Sequence, residues 1–464
     1  MKKKLVILSL SVIVVAIFLR FFRVESLFIF SMDEEYQANL AWWLVKDLKP
    51  LWIGVSASDT GFYLGPGFTY LNYFLFLISK GDPVILGYFS VLMSGATLVS
   101  LWWIVKKWFG LKAALLATVI YGFSQSVIVS DLRFWNPSLI PFLSLWFLYS
   151  LYEIKNNVRM IILTSFLLSV SLHVHLSLLT YLPIFLVVIF QNYKKLKIGT
   201  VFLSIFAFIP GIIPLVIYDI NHNFDNLLTP IRLIKKVGQS GSIASFMPKM
   251  ATFFSSIHDL LFPNYSLIST SAVIILLSII ILRIKRAQQN NDKFLISVAT
   301  IYLMATLVFP GSIQEYYYLG LTPVIAIIIA ITLKSTPITL VLPLVLMFLM
   351  VNISSFLTRP VDRGLMVRKK MVQEISLVVD HPFELISYPS YRAESGWRYL
   401  FSAYGKLPAK SDADTHFGWI YQDEISSEDP QLQVYVSSSP IEFLSQGTHL
   451  VSGIYHAYII DKTY

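Results

Sequence analysis

The chain contains no cysteine. Disulfides, thiolate metal sites and cysteine nucleophiles are thereby excluded. Charge is scarce too: only 14% of residues are Asp, Glu, Lys or Arg, against roughly 25% in an ordinary soluble protein. Internal repeats and low-complexity segments are missing as well, which counts against the repeat symmetry common in transporters.

What fills the sequence instead is apolar. Hydrophobic residues make up 56% of the 464 positions, and runs long enough to cross a hydrocarbon core of about 30 Å recur along most of the length. Eleven such runs are read, at 5–22, 84–105, 112–129, 137–152, 159–173, 176–191, 198–218, 266–284, 294–310, 316–333 and 337–357. The expectation is an α-helical polytopic membrane protein. Lys2, Lys3 and Lys4 precede the first run, but Arg20, Phe21, Phe22 and Arg23 follow it where a small-residue cleavage site would stand, so it reads as a retained anchor.

The net charge of +9 is explained by where the basic residues fall. With the N-terminus inside, alternate loops carry Lys106, Lys107 and Lys112; Lys155 and Arg159; Lys194, Lys195 and Lys197; Arg283, Lys285, Arg286 and Lys293; and Lys334. That is a positive-inside pattern, so the charge reports topology and no nucleic-acid partner is expected. The polar segments then fall together on the outer side: 24–83, 130–136, 219–265, 311–315 and everything after 358. A membrane domain, 1–358, is expected with a small soluble α/β domain, 359–464, outside a prokaryotic inner membrane.

In the loop 24–83, Tyr36, Leu40, Trp43, Leu44 and Leu48 recur at helical spacing, which predicts an amphipathic helix along the membrane surface. The turn "GFYLGPGFTY" (61–70) leads into a second apolar stretch near 68–79. The loop 219–265, with Pro230, Gly238, Gly241 and Pro248 among Arg232, Lys235 and Lys236, reads as a long outer loop with short helices. Past 358, helices are expected at 362–379 and 394–405, and strands at 383–388, 416–422, 432–437 and 449–460.

Four clusters carry candidate chemistry. In "SMDEEY", Ser31 and Glu34 fit a capping box, and acids in a first turn complement the helix dipole; Asp33 also stands where an ionised carboxylate could take a proton from a hydroxyl. "SDLRFWNPS" offers Asn136 as N-cap and Pro137 as first helical residue, so that the helix start and Arg133 form an anion site. The alternative there is an Asp131–Arg133 pair in the headgroup region. His173 and His175, two residues apart, do not share a helix face, which disfavours a two-histidine metal site; one could reach a phosphate, or both could bond between helices. Tyr316, Tyr317 and Tyr318 begin another segment, either as an interfacial aromatic belt or as substrate contacts.

Together these residues resemble the GT-C membrane glycosyltransferases, especially the bacterial branch related to protein O-mannosyltransferases and to the aminoarabinose transferase of lipid A. The resemblance rests on Asp33, Glu34 and Tyr36 after the first span, "YLGPGFTYL" and "GDP" before the second, "WNPS" at 135–138, a histidine near the fifth span, and "YYYLGLTP" at 316–323. It covers about residues 1–357. It implies transfer of a sugar, hexose or pentose, from a polyprenyl-phosphate donor to an acceptor (protein, lipid or surface glycan) outside the membrane. Asp33 is the implied general base, in a single inverting displacement, and Glu34 matches a second catalytic position. Arg133, Asn136, His175, Tyr36 and Tyr316 are the candidates for substrate or phosphate binding. Some members use a divalent metal; Asp33, Glu34, Glu35 and Asp131 could supply ligands only if folding gathers them, and no metal or other cofactor is expected. Competing readings are a transporter or flippase and a surface-glycan polymerase or ligase. The near absence of charge inside the spans favours an interfacial enzyme over the transporter.

Overall fold

The computed structural model describes every residue except 1, 57–60, 230, 233–245, 268, 275–276, 279–289, 310, 445–446 and 463–464. Part of the expected run 266–284 (268, 275–276 and 279–284, with Arg283), and also Lys285, Arg286, Pro230, Lys235, Lys236, Gly238 and Gly241, lies outside the described residues.

The chain opens with α1 (Lys2–Phe22), followed by two helices of the first long loop, α2 (Met32–Asp47) and α3 (Gly67–Ser79). The bundle continues through α4 (Val84–Phe109), α5 (Leu111–Phe123), α6 (Gln125–Asp131), α7 (Ile140–Glu153) and α8 (Met160–Val174). It is completed by α9 (Tyr181–Asn192), α10 (Ile198–Asn221), α11 (Phe246–Leu261), α12 (Asn290–Val308), α13 (Thr322–Lys334) and α14 (Ile338–Leu357). Among the described residues six helical segments are long and apolar enough to cross a bilayer alone, and α5 with α6, bent by 65°, could make a seventh span.

Apolar runs therefore outnumber the helices long enough to span alone among the described residues. The helices α7, α8 and α13 have 14, 15 and 13 residues, short of the roughly 20 a bilayer core requires. In each case one end adjoins a 3-10 turn, at Asn136–Leu139, Leu176–Thr180 or Glu315–Tyr318. The bend between α5 and α6 breaks the backbone ladder inside the bundle, and buried Asn352 repairs it: its Oδ1 accepts from Gln125 N–H at 2.8 Å while its Nδ2 donates to Leu261 and Phe348 carbonyls. A backbone group freed at this depth has no water to turn to.

The two ends of the bundle differ in chemistry. At one, Lys107 pairs with Glu153 at 2.8 Å, Lys334 donates to the Phe109 carbonyl and Lys195 to the Lys155 carbonyl. Asp33, Arg133, His175 and Tyr316 gather at the other, and the last part of the chain packs there.

That last part holds α15 (Leu365–Val378), β1 (Phe383–Ser387), α16 (Trp397–Tyr404), β2 (Lys410–Ser411), β3 (Leu432–Ser437), β4 (Thr448–Ser452) and β5 (Tyr455–Asp461). The strands form one sheet in the order β2-β1-β3-β5-β4, with β1 parallel to β2 and β3, and the remaining pairs antiparallel. Residues 416–422, expected as a strand, are instead helical turns, because Asp414 Oδ2 accepts from Ser411 N–H at 2.7 Å and starts a turn whose Phe417 and Ile420 pack against Leu40. The unit shares a core with α2, α3 and the stretch before them: Phe28, Phe30, Ala38, Phe68 and Phe76 pack with Met371, Ile375, Trp397 and Leu400.

Candidate active site

Successive side chains on a helix point about 100° apart, so the three adjacent acids at the start of α2 diverge. Asp33 keeps 58% of its side chain exposed, with Oδ2 bonded to Arg133 Nη2 at 3.0 Å. Glu34 is fully buried, accepting from Arg133 Nε at 2.6 Å, Ser31 N–H at 3.0 Å and Ser31 Oγ at 2.6 Å. Here the acid half of the capping box forms, while the serine hydroxyl turns to the carboxylate. Glu35 points to the opposite side, fully buried against Tyr391, Gly396 and Tyr399.

Desolvation in its recess and the neighbouring Glu34 charge hold the Asp33 carboxyl above the usual aspartate range, with Arg133 pulling the other way. Arg133 reaches both acids from the turn after α6, and its guanidinium stacks 3.8 Å from the Trp135 ring centre. Its other expected partner, Asp131, is bound elsewhere: the fully buried Arg20 of α1 holds it at 2.8 Å, and Ser94 Oγ donates to the same oxygen.

From Trp135 the aromatic contacts run on. The Tyr316 ring meets Trp135 edge-on at 5.0 Å, and His175 packs edge-on against Tyr316 and Tyr317 at 5.5 and 5.1 Å. Tyr316 lies within electrostatic reach of Asp33. Burial pushes the His175 imidazole down to about 4, so it is neutral near pH 7. Its Nδ1 accepts from Ser177 N–H at 3.2 Å, which leaves the ring proton on Nε2. Asp33, Glu34, Arg133, His175 and Tyr316 thus form one continuous group.

Two expected residues stand apart. Asn136 begins the 3-10 turn one residue later than an N-cap would; Trp135 takes that position. Its buried side chain accepts from Gln37 at 3.2 Å and faces the Val174 carbonyl, while Gln37 accepts from Thr69, so it ties α2, α3 and α8 together. Tyr36 turns toward the C-terminal unit, its ring 5.1 Å from Phe417.

The second histidine explains the glycine-rich turn. His173 Nδ1 accepts from Gly67 N–H at 3.0 Å, and Gly65 N–H donates to the Leu172 carbonyl at 2.9 Å. A Cβ at Gly65 would overlap the His173 ring. Gly65→Ala is therefore expected to destabilise the protein by about 1–3 kcal/mol through overpacking, read as a lower thermal midpoint in detergent and relieved in Gly65→Ala/His173→Ala. An unchanged midpoint in the single variant would show that the turn is not seated on the histidine.

Sequence reasoning left Glu35 without a role and passed over Lys249, which lies on α11 with its ammonium donating to the Leu307 and Phe309 carbonyls and its own carbonyl accepting from Tyr318. Lys249 carried no signal because its stretch reads as irregular loop. The acids do not assemble a cation site: Glu34 is saturated, Glu35 faces away and Asp131 is paired with Arg20. Among the described residues no three His, Asp or Glu side chains converge on a metal position.

A polytopic helical bundle whose helices are broken at one end, under a small α/β unit, gives the chain a GT-C fold. No protein-family model matches the sequence, and no curated protein sequence matches it. The structure is similar to ArnT from Cupriavidus metallidurans bound to undecaprenyl phosphate, with TM-score 0.60 and 12% identity over 98% of this chain and 97% of that one. The same protein in its apo state gives 0.62, 12%, 99% and 98%. The oligosaccharyltransferase of Archaeoglobus fulgidus in complex with zinc and sulfate gives 0.50 at 9% identity, over 91% of this chain and 67% of that one.

Proposed function

We propose that the protein is a membrane glycosyltransferase that moves a sugar from a polyprenyl-phosphate carrier to an acceptor at the outer surface of a prokaryotic inner membrane. Residues 1–358 form its catalytic membrane part and 359–464 its outer unit, with the N-terminus cytoplasmic; the basic residues at the end of the bundle opposite Asp33 support this orientation. The reading rests above all on Asp33, a half-open carboxylate fixed by Arg133 at that outer end. The likeness to a structure crystallised with undecaprenyl phosphate supports a carrier of that class.

In the proposed reaction, the acceptor hydroxyl gives its proton to Asp33 as its oxygen attacks the anomeric carbon. The bond from that carbon to the phosphate oxygen breaks, the configuration inverts, and polyprenyl phosphate departs with the electron pair. Donors are needed for the growing phosphate charge. Arg133 Nη1 and His175 Nε2–H are suited to it, having no protein acceptor among the described residues. Because His175 is neutral, it contributes a hydrogen bond without charge. Tyr316 would line the path between them. Glu34, enclosed by its partners, acts in this reading by holding Arg133 and the first turn of α2.

The test is to supply the purified protein with labelled undecaprenyl-phosphate hexoses and pentoses, with native membranes as the source of acceptor. Transfer with release of undecaprenyl phosphate is expected; retention of the anomeric configuration in the product would exclude the single displacement. The base must be ionised to work, and burial raises its pKa. Activity should therefore fall with decreasing pH through a limb lying above the ordinary aspartate value of about 3.9.

A further inference from the structure

The stretch from Phe28 to Glu35 is gripped from two sides. Arg133, from the membrane bundle, holds Ser31, Asp33 and Glu34. Phe28 and Phe30 also pack against Phe68, Phe76, Leu86 and Phe134, but among the described residues every other long-range hydrogen bond to this stretch comes from beyond residue 358. Leu365 N–H donates to the Phe28 carbonyl at 2.9 Å, and buried Arg368 donates to the Phe30 carbonyl at 2.8 Å and the Ser395 carbonyl at 2.6 Å. The Glu35 carboxylate then accepts three bonds, from Tyr391 Oη at 2.6 Å, Gly396 N–H at 2.8 Å and Tyr399 N–H at 2.9 Å.

Gly396 makes this arrangement possible. Its φ is +97°, and a Cβ there would lie 2.7 Å from both Arg368 Nη1 and the Phe30 carbonyl oxygen, so only glycine lets the backbone approach. The same helix, α16, also secures the end of the outer loop, with Tyr399 Oη donating to the Gly81 carbonyl at 2.9 Å and Tyr404 Oη to Asp82 at 2.5 Å.

A buried carboxylate is a costly way to join two elements. Apolar residues of similar volume hold such contacts as well or better, and what a hydrogen-bonded acid adds is direction. Glu35 lies two residues after Asp33, and its three donors leave the first turn of α2 little freedom to slide or rotate. We propose that Glu35 is a positioning residue for the transfer reaction, through which the C-terminal unit fixes the candidate base, so that this unit belongs to the active-site framework. The inference rests on Asp33 being the base. Misplacement of a reacting group by about 1 Å can cost about 100-fold in rate, which is the scale on which this grip acts.

The experiment uses the full-length protein with Glu35→Gln, which replaces one acceptor oxygen by a donor facing donors, and Tyr391→Phe, which removes a single hydroxyl. With the labelled undecaprenyl-phosphate sugar, kcat per folded molecule is expected to fall about 10- to 100-fold in Glu35→Gln and several-fold in Tyr391→Phe, with KM for the donor within about twofold. Amide hydrogen exchange across 31–35 should quicken in both. A merely structural role would lower yield or thermal midpoint and leave kcat per folded molecule unchanged. Wild-type kcat in both variants alongside an inactive Asp33→Asn overturns this inference alone. An active Asp33→Asn overturns the base reading and this inference with it. Wild-type exchange at 31–35 in both variants overturns the inference even where no donor sugar is turned over.

Discussion

Asp33→Asn is expected to abolish sugar transfer while leaving the fold and lipid binding intact. The amide is nearly isosteric and keeps an oxygen that can accept from Arg133 Nη2 at the 3.0 Å position, but it cannot take a proton. Loss of a positioned general base typically costs 10²- to 10⁴-fold, and the upper part of that range is expected, because the half-exposed carboxylate has no neighbour able to replace it. Glu34 is committed to four hydrogen bonds from Arg133 and Ser31, and Glu35 faces the far side of the helix. The measurement is initial rate against folded protein, the latter judged by monodispersity and thermal midpoint. Binding of undecaprenyl phosphate should be within about twofold of wild type, since Asp33 acts on the acceptor. A variant that folds, binds and still transfers would remove Asp33 from the mechanism.

Much of this was legible in the sequence, and the parts that were not have identifiable physical reasons. Composition and apolar runs predict a helical membrane protein, and helical spacing from Tyr36 to Leu44 predicts α2; that the helix is enclosed on more than one side, with Glu35, Gln37 and Ala38 buried as well, left no trace in that spacing. Among the described residues six helices are long and apolar enough to span alone, fewer than the eleven runs, since α7, α8 and α13 end where 3-10 turns carry the chain into the site. Residues 416–422 misled because Phe417, Trp419 and Tyr421 alternate as a strand would, while one aspartate side chain starts a helical turn there.

Within the site, local chemistry is readable and long-range pairing is not. The acid half of the capping box, Glu34 back to Ser31, is a matter of three residues. That Arg133 would choose Glu34 and Asp33 over the nearby Asp131 depends on Arg20, 111 positions away from Asp131, and nothing in either stretch announces the match. The same holds for Glu35, whose partners all lie beyond residue 390. Three adjacent acids look alike in one dimension; the helix turns Asp33 and Glu34 toward Arg133, one exposed and one buried, and Glu35 toward the C-terminal unit.

Arg133→Met separates the structural use of this arginine from its chemical one. The wild-type arginine side chain is 24% exposed, and its guanidinium faces the fully buried Glu34. Removing it leaves a carboxylate enclosed with only Ser31 for company, and breaking a buried pair by deleting one partner typically costs about 3–5 kcal/mol. A large drop in thermal midpoint is expected, together with loss of transfer. Glu34→Gln/Arg133→Met removes both charges, and much of the lost stability should return, because the neutral amide carries a far smaller desolvation penalty. Activity should stay absent, since Asp33 has lost the group that orients it and the departing phosphate has lost a cation. Arg133→Lys is expected to fall between, as one ammonium cannot meet Glu34 and Asp33 in the forked geometry of the guanidinium. Two results would count against this account: a single variant as stable as wild type, which would deny the buried pair, or an active double variant, which would confine Arg133 to the scaffold. The pairwise coupling from the full cycle measures the stability shared by Glu34 and Arg133, and the activity that fails to return measures what Arg133 does for the reaction.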